Sequence, residues 1–293
     1  MNRYFIASLY CGLYSVLLEL KVREIIMKRE VMKEGVSPES AFEIQEIDGN
    51  KLYIDLRTLV DISVLGVESN EDFSDINLSA IHRLYRYQKS NLHGFDMDNC
   101  KTSRRKYSFI LIDEVYEKLW GNVDGVDSSE TLISPNRNIA KICPDLRIRK
   151  PGRAMVDWDM FSKIENYDLE ILAHNIATLG NYMPVPAKEQ LVLNRYFDER
   201  FDLFLVEIKR YYEQKIMHKS FSGEIINWLN IYTLNEKDGF DAWKNFVDRN
   251  YLKDSFVNEK YEVISYDGTV FQLALMIASR TQIMHQAYEN VTL

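Results

Sequence analysis

Between Phe197 and Tyr212 the chain spaces its apolar side chains for one regular structure. Phe197, Phe201, Phe204, Leu205, Ile208, Tyr211 and Tyr212 stand at i, i+4, i+7, i+8, i+11, i+14 and i+15, which gathers all seven on one side of an α-helix. Asp198, Glu199, Arg200, Lys209 and Glu213 fill the other side. An aromatic stripe this wide needs other elements to cover it. The 293 residues include only 12 Gly and 6 Pro, with 46% hydrophobic and 27% charged side chains. Breakers are scarce and a sizeable core can form. The expected fold is mainly α: a multi-helix globular protein with a small β-hairpin near the N-terminus.

The hairpin is read from FEIQEIDGNKLYIDL (42–56), where apolar residues alternate on either side of Asp48-Gly49, a dipeptide suited to a two-residue turn. Residues 4–33 are expected to form one long helix ending near Gly35. Ser37 and Pro38 then supply the N-cap and first-turn proline of a short one. Residues 56–67 fit a continued strand and a helix equally. The polar, acidic VESNEDFSD (67–75) predicts a boundary between an N-terminal helix-plus-hairpin region, 1–75, and a helical main domain, 76–293. In the main domain, helices are expected over 76–88, 104–120, 168–179, 197–213, 224–234, 241–256 and 269–288. Residues 121–138 form the longest loop. No internal repeat is present.

A net charge of −8 argues against a protein that coats nucleic acid indiscriminately, although a local basic patch can still bind it. The candidates for such a patch are Arg104, Arg105 and Lys106, followed by Arg147, Arg149, Lys150 and Arg153. Tyr107 and Trp158 are interleaved for stacking. The two runs make an anion site only if the fold joins them, and are ordinary charged surface otherwise. Cys11, Cys100 and Cys143 are odd in number and far apart. They suggest no disulfide framework and no zinc spacing, which fits a reducing cytoplasm. The uncharged FIASLYCGLYSVLL (5–18) falls short of the ~20 residues a membrane span needs. It also lacks a small-x-small cleavage site, so it reads as a buried or partner-facing helix.

The usual phosphate-loop, dinucleotide, zinc-protease, serine-hydrolase and EF-hand motifs are missing, which makes ATPase and kinase chemistry poor fits. Glu19-Leu20-Lys21 and Glu207-Ile208-Lys209 have the E-x-K form of a metal-dependent nuclease site. Both fall on expected helices, where solvated charged faces are the simpler account. Asp96 and Asp98, with His93 nearby, have a spacing that can share a divalent ion but also suits a polar loop. No residue is assigned as a metal ligand.

The most individual stretch is LAHNIATLGNYMPVPAKEQLVLNRYF (172–197), which holds two of the six prolines. A helix from about Asp168 is expected to end at Leu179-Gly180, with Gly180 supplying a left-handed cap. Met183-Pro184-Val185-Pro186 must then run extended, and Asn194 caps the next helix. Asn181 either bridges the loop backbone or faces a ligand. His174, on the helix leading in, suits a structural hydrogen bond better than a catalytic role.

LGN, a short apolar and proline-containing segment, and then LN resemble the second half of the HNH-type domain at the C-terminus of GmrSD-like modification-dependent restriction enzymes. The resemblance covers about residues 170–215 and matches Asn181 to the turn asparagine and Asn194 to the later one. It implies a metal-dependent nuclease using Mg²⁺ or Mn²⁺; a divergent site of that kind in this chain would gather His174, Asn181, Asn194 and Asp202 as candidate catalytic residues, although His174 is too close to the turn to match the family's histidine without rearrangement. The family's histidine lies upstream in a His-hydrophobic-x-Pro setting, and nothing between Thr131 and Asp168 supplies it. IATLGNYMPVP followed by FDLFLVEIKRYY is also similar to a family of uncharacterised bacterial proteins with a TLGNFxPxP-type signature, which implies a bacterial or phage origin. The functional expectation is an interaction or regulatory protein without a cofactor. It would act by binding a protein partner or another copy of itself, in a bacterial or phage defence or counter-defence setting. The alternative is the divergent HNH-like nuclease, with nucleic acid as its partner.

Overall fold

The computed structural model describes residues 29–30, 32–47, 49–61, 78–89, 107–108, 110–121, 128–150, 153–186, 196–233, 238–266 and 269–292. In chain order they form β1 (Arg29–Glu30), β2 (Ile44–Ile47), β3 (Asn50–Tyr53), α1 (Ala80–Lys89), β4 (Tyr107–Ser108), α2 (Ile110–Trp120), β5 (Ser128–Thr131) and α3 (Pro135–Ile142). There follow β6 (Arg147–Lys150), β7 (Arg153–Val156), α4 (Trp158–Phe161), α5 (Tyr167–Asn175), β8 (Tyr182–Val185), α6 (Phe201–Gln214), α7 (Gly223–Ile231), α8 (Gly239–Arg249) and α9 (Val270–Thr292). The protein is mainly α. Among the described residues the strands meet in pairs: β1 with β4, β2 with β3, β5 with β8 and β6 with β7.

The expected hairpin is present. β2 and β3 are antiparallel, with Ile47 opposite Asn50, and Gly49 takes the left-handed φ of 77° that the two-residue turn needs. Ser37 and Pro38 start a short 3-10 turn, Pro38–Phe42. Side chains cap four of the later helices. Asp157 accepts from Met160 N, Asn166 from Leu169 N, Ser222 from Glu224 and Ile225 N, and Asp238 from Asp241 N.

The aromatic stripe does what its spacing demands. Phe201, Phe204, Leu205, Ile208 and Tyr212 are buried and join Trp228 of α7 and Trp243 and Phe246 of α8 in the larger of two apolar clusters. A smaller cluster joins Phe42, Ile54, Leu56 and Val60 to Val115 and Leu119 of α2 and to Met284 and Tyr288 of α9. α9 serves both clusters, which explains why its 23 residues are apolar over so much of their surface.

Several expectations need correction. Arg29, Glu30 and Met32 are not helical: β1 runs parallel to β4, Met32 bridges Val60, and Lys33 N donates to Leu59 O at 2.9 Å. Pairing with neighbouring backbone has replaced the helical bonds. The rest of the expected helix 4–33, the boundary at 67–75 and Asn194 lie outside the described residues. The second helix begins at Ile110 rather than at 104. The segment 121–138 contains strand β5, which pairs with β8, and Pro135 starts α3 at the first-turn position that suits proline. α6 starts at Phe201 because Asp198 and Glu199 take left-handed φ values of 53° and 60°. α8 ends at Arg249, and Tyr251 and Asp254 are again left-handed.

Candidate functional site

The corner after α5 is a buried junction. α5 ends at Asn175, and Leu179–Asn181 form a single 3-10 turn leading into β8. Gly180 is not the expected left-handed cap, since Gly35, Gly49 and Gly121 are the described glycines with positive φ. It is required for another reason. A Cβ there would strike the Ile277 carbonyl oxygen and Thr281 Oγ1 of α9, so glycine is what lets α9 lie against the corner backbone.

α9 then grips that backbone. Thr281 Oγ1 accepts from Gly180 N at 3.0 Å and donates to Ile277 O at 2.9 Å. Arg280, completely buried, donates from Nη1 to Gly180 O and Tyr182 O at 2.7 Å each, and from Nε and Nη2 to Asn250 O at 3.1 Å. Its pKa falls to about 10 because burial penalises the charged form, which leaves it charged at neutral pH. Carbonyl dipoles, not a carboxylate, hold this guanidinium.

Asn181 is also 0% exposed. Its Oδ1 accepts from Ile133 N at 2.9 Å, while Nδ2 donates to Ile133 O at 3.2 Å and Ile176 O at 2.8 Å. Of the two roles its sequence position allowed, it fills the backbone-bridging one.

His174 belongs to a second buried network. Asp55, fully buried, receives Arg57 Nε at 2.8 Å and Arg83 Nε at 2.9 Å. Arg57 Nη2 also reaches Ala173 O at 2.9 Å, and Arg83 Nη1 bonds Leu78 O. Burial alone would raise the Asp55 pKa, but Arg57 and then Arg83 outweigh it and hold the carboxyl down at about 2. His174 Nε2 meets Tyr53 O at 2.5 Å, and Nδ1 lies 3.5 Å from Arg83 Nη2. Burial lowers the imidazole pKa despite the upward pull of Asp55 and the Tyr53 carbonyl. The neutral ring therefore donates from Nε2 and accepts at Nδ1, and both nitrogens are committed.

Asp202 sits elsewhere. Arg200 Nε donates to its Oδ1 at 2.7 Å, Arg200 Nη2 bonds Oδ2, and Ser265 Oγ donates to Oδ2 at 3.3 Å. The Arg200 guanidinium lies 4.9 Å from the centre of the Tyr266 ring, whose hydroxyl accepts from Phe201 N at 2.5 Å. Burial pushes the Tyr266 hydroxyl pKa up. Among the described residues no hydrogen bond or ion pair joins His174, Asn181 and Asp202.

Comparison with known protein families, curated proteins and solved structures finds no match to this chain.

Of the basic candidates, Arg104, Arg105 and Lys106 lie outside the described residues, as do Asp96, Asp98 and His93. Arg147, Arg149, Lys150 and Arg153 fall on the antiparallel pair β6–β7, with Arg149 opposite Ala154 and Lys150 opposite Arg153. Glu207 and Lys209 behave as a helix surface: Glu207 pairs with Arg210 at 2.8 Å and Lys209 with Glu213 at 3.8 Å. Among the described residues no group of three or more His, Cys, Asp or Glu side chains is placed to hold a metal ion. No described helix is long and apolar enough to cross a membrane.

Sequence reasoning missed Asp55, Arg57, Arg83 and Arg280. Arg280 had a visible signal, being the only charged residue between Val270 and Met284.

Proposed function

We propose that this chain acts by protein binding, as an interaction or regulatory protein. The observation that carries this reading is the outer side of α6, where Leu203 and Val206 stand 44% and 41% exposed. They lie three residues apart, one turn along the same strip. Leu and Val usually go inside, and paired exposed apolar side chains mark contact surfaces. The turn after the helix adds Ile216 and Met217, 42% and 58% exposed. The defence or counter-defence setting in bacteria or phage rests on the TLGN-type resemblance.

The alternative, an HNH-like nuclease, needs a general base within reach of water and a divalent ion. The candidate base, His174, has both ring nitrogens engaged in a buried network, which weighs against it. The separating experiment uses purified wild type, Leu203→Asp/Val206→Asp and His174→Gln. Each is tested for capture of proteins from a bacterial lysate and for cleavage of plasmid DNA and total RNA with Mg²⁺, Mn²⁺ or chelator. The expected result is stoichiometric capture lost in the Leu203/Val206 variant, with no metal-dependent cleavage by any protein. Metal-dependent cleavage that disappears in folded His174→Gln would establish the nuclease instead.

A further inference from the structure

We infer that His174 is a proton-operated latch on α1: a proton taken up at its Nδ1 pushes Arg83 away and frees α1 from α5, while the core of α6, α7 and α8 stays folded. Such a latch works whatever partner α6 binds, and so goes beyond the protein-binding reading.

The geometry makes one ring nitrogen sensitive to the proton and the other indifferent. Nε2 lies 2.5 Å from the Tyr53 carbonyl oxygen, an acceptor that suits an N–H in either protonation state. Nδ1 faces Arg83 Nη2 at 3.5 Å, and a guanidinium can only donate. The neutral ring accepts there. A protonated ring sets N–H against N–H and a second positive charge against the first. The contact that fails is therefore the one to α1, not the one to β3.

The charged surroundings favour the same outcome. From the segment after β3, Asp55 attracts a charged imidazole and Arg57 repels it, as does Arg83 of α1. Tyr53, which holds Nε2, has its hydroxyl 3.3 Å from His285 Nδ1 of α9. With α1 in place, burial is the largest influence and keeps the ring neutral. Once α1 withdraws, water reaches the ring, the Arg83 repulsion is gone, and His174 takes over as the second cation beside Asp55. Arg57 keeps its two-point bond to that carboxylate throughout.

α1 is a short element to release. Its ten residues bury Ala80, Ile81 and Leu84. Glu170 of α5 accepts from Ala80 N and Ile81 N, and Asp159 of α4 from the Tyr85 hydroxyl at 3.1 Å. α1 also carries a histidine of its own, His82, which is exposed and lies 3.3 Å from Ser79 Oγ.

The test is hydrogen exchange on the full chain from pH 7 to 3.5, read by mass spectrometry and corrected for the pH dependence of intrinsic amide exchange. Protection of α1 should fall from about pH 6.5 downward by up to about tenfold per unit, the limit for one proton. Protection of α6 and α8 should hold over the same range. His174→Gln copies the donor and acceptor of the neutral ring without titrating, so its α1 protection should stay level between pH 7 and 5. His82→Gln should behave as wild type. The latch is overturned by α1 protection that ignores pH, falls in step with α6, falls equally in His174→Gln, or becomes level in His82→Gln. If His174→Gln does not fold, wild type and His82→Gln decide. A loss confined to α1 from about pH 6.5 in both sustains the latch, and one that begins only below about pH 4, in the carboxylate range, overturns it.

Discussion

Arg280 and Arg83 are both buried guanidinium groups, yet the protein neutralises them by opposite means. Arg83 and its neighbour Arg57 share the carboxylate of Asp55, which joins the hairpin region to α1. Arg280 has a ring of carbonyls from Gly180, Tyr182 and Asn250. A carboxylate supplies a full charge that acid can remove. Carbonyls supply dipoles that do not titrate, but only if the backbone is already bent into a cage. The first arrangement is tied to pH and the second to backbone shape. The difference can be attacked from either side.

Backbone shape should give the largest effect. Gly180→Ala puts a methyl group into the Ile277 carbonyl and within 2.7 Å of Thr281 N. α9 must retreat, and the Arg280 bonds to Gly180 O and Tyr182 O go with it. A loss above about 4 kcal/mol, or failure to fold, is expected in urea denaturation. Gly49→Ala is the control: nothing lies within 4 Å of its Cβ position, so only the left-handed φ of 77° is penalised. Its loss should be near 1 kcal/mol. Similar losses at the two glycines would mean that close approach does not shape the corner.

Removing the charge comes next. Asp55→Asn removes the carboxylate that Arg57 and Arg83 share in the buried network, an expected cost of about 3–5 kcal/mol. Arg280→Met removes its own charge and strands only carbonyls, so about 2–4 kcal/mol is expected. Acid separates the two sites further. With the Asp55 pKa near 2 against an ordinary 3.8, its contribution is complete above 3.8 and lost as pH falls through 2. Arg280→Met should follow the wild-type acid profile, displaced downward. Asp55→Asn should flatten it in that window. Equal acid profiles for the two variants would erase the distinction.

Asn181→Ala should cost less, about 2–3 kcal/mol, by leaving Ile133 N and two carbonyls without their side-chain partner. Chemical denaturation reads this directly. A variant as stable as wild type would mean that the corner carries no load there, and would reopen the ligand-facing role for Asn181.

How much of this was legible varies with the physics involved. The stripe from Phe201 to Tyr212 reports its own burial because helical period and apolarity are local properties. The Asp48-Gly49 turn is legible for the same reason. The start of α6 was not, because two non-glycine residues in left-handed backbone are held there by tertiary contact, including Asn138 Nδ2 on Glu199 O at 3.1 Å. The corner was located correctly and explained wrongly. A glycine at a helix end suggests a cap, and only the partner 101 residues away, Thr281, shows close approach. The Asp55 network joins residues up to 121 apart, from Tyr53 to His174, and no local pattern encodes such a meeting.

The smallest effect tests whether His174 belongs to the pH-sensitive side of the comparison. Its pKa in the folded protein lies below the ordinary 6.5, chiefly through burial. A base depressed on folding stabilises the fold fully above its unfolded pKa. As pH drops below 6.5 the unfolded chain takes the proton first, and stability declines towards the lower folded pKa. The slope cannot exceed about 1.4 kcal/mol per pH unit for one group. His174→Gln cannot be protonated, so its stability should change less between pH 7 and 5 than that of wild type, whatever its absolute value. If the two curves run parallel across that window, His174 is not the group that senses acid, and the Asp55 network answers only to its carboxylate.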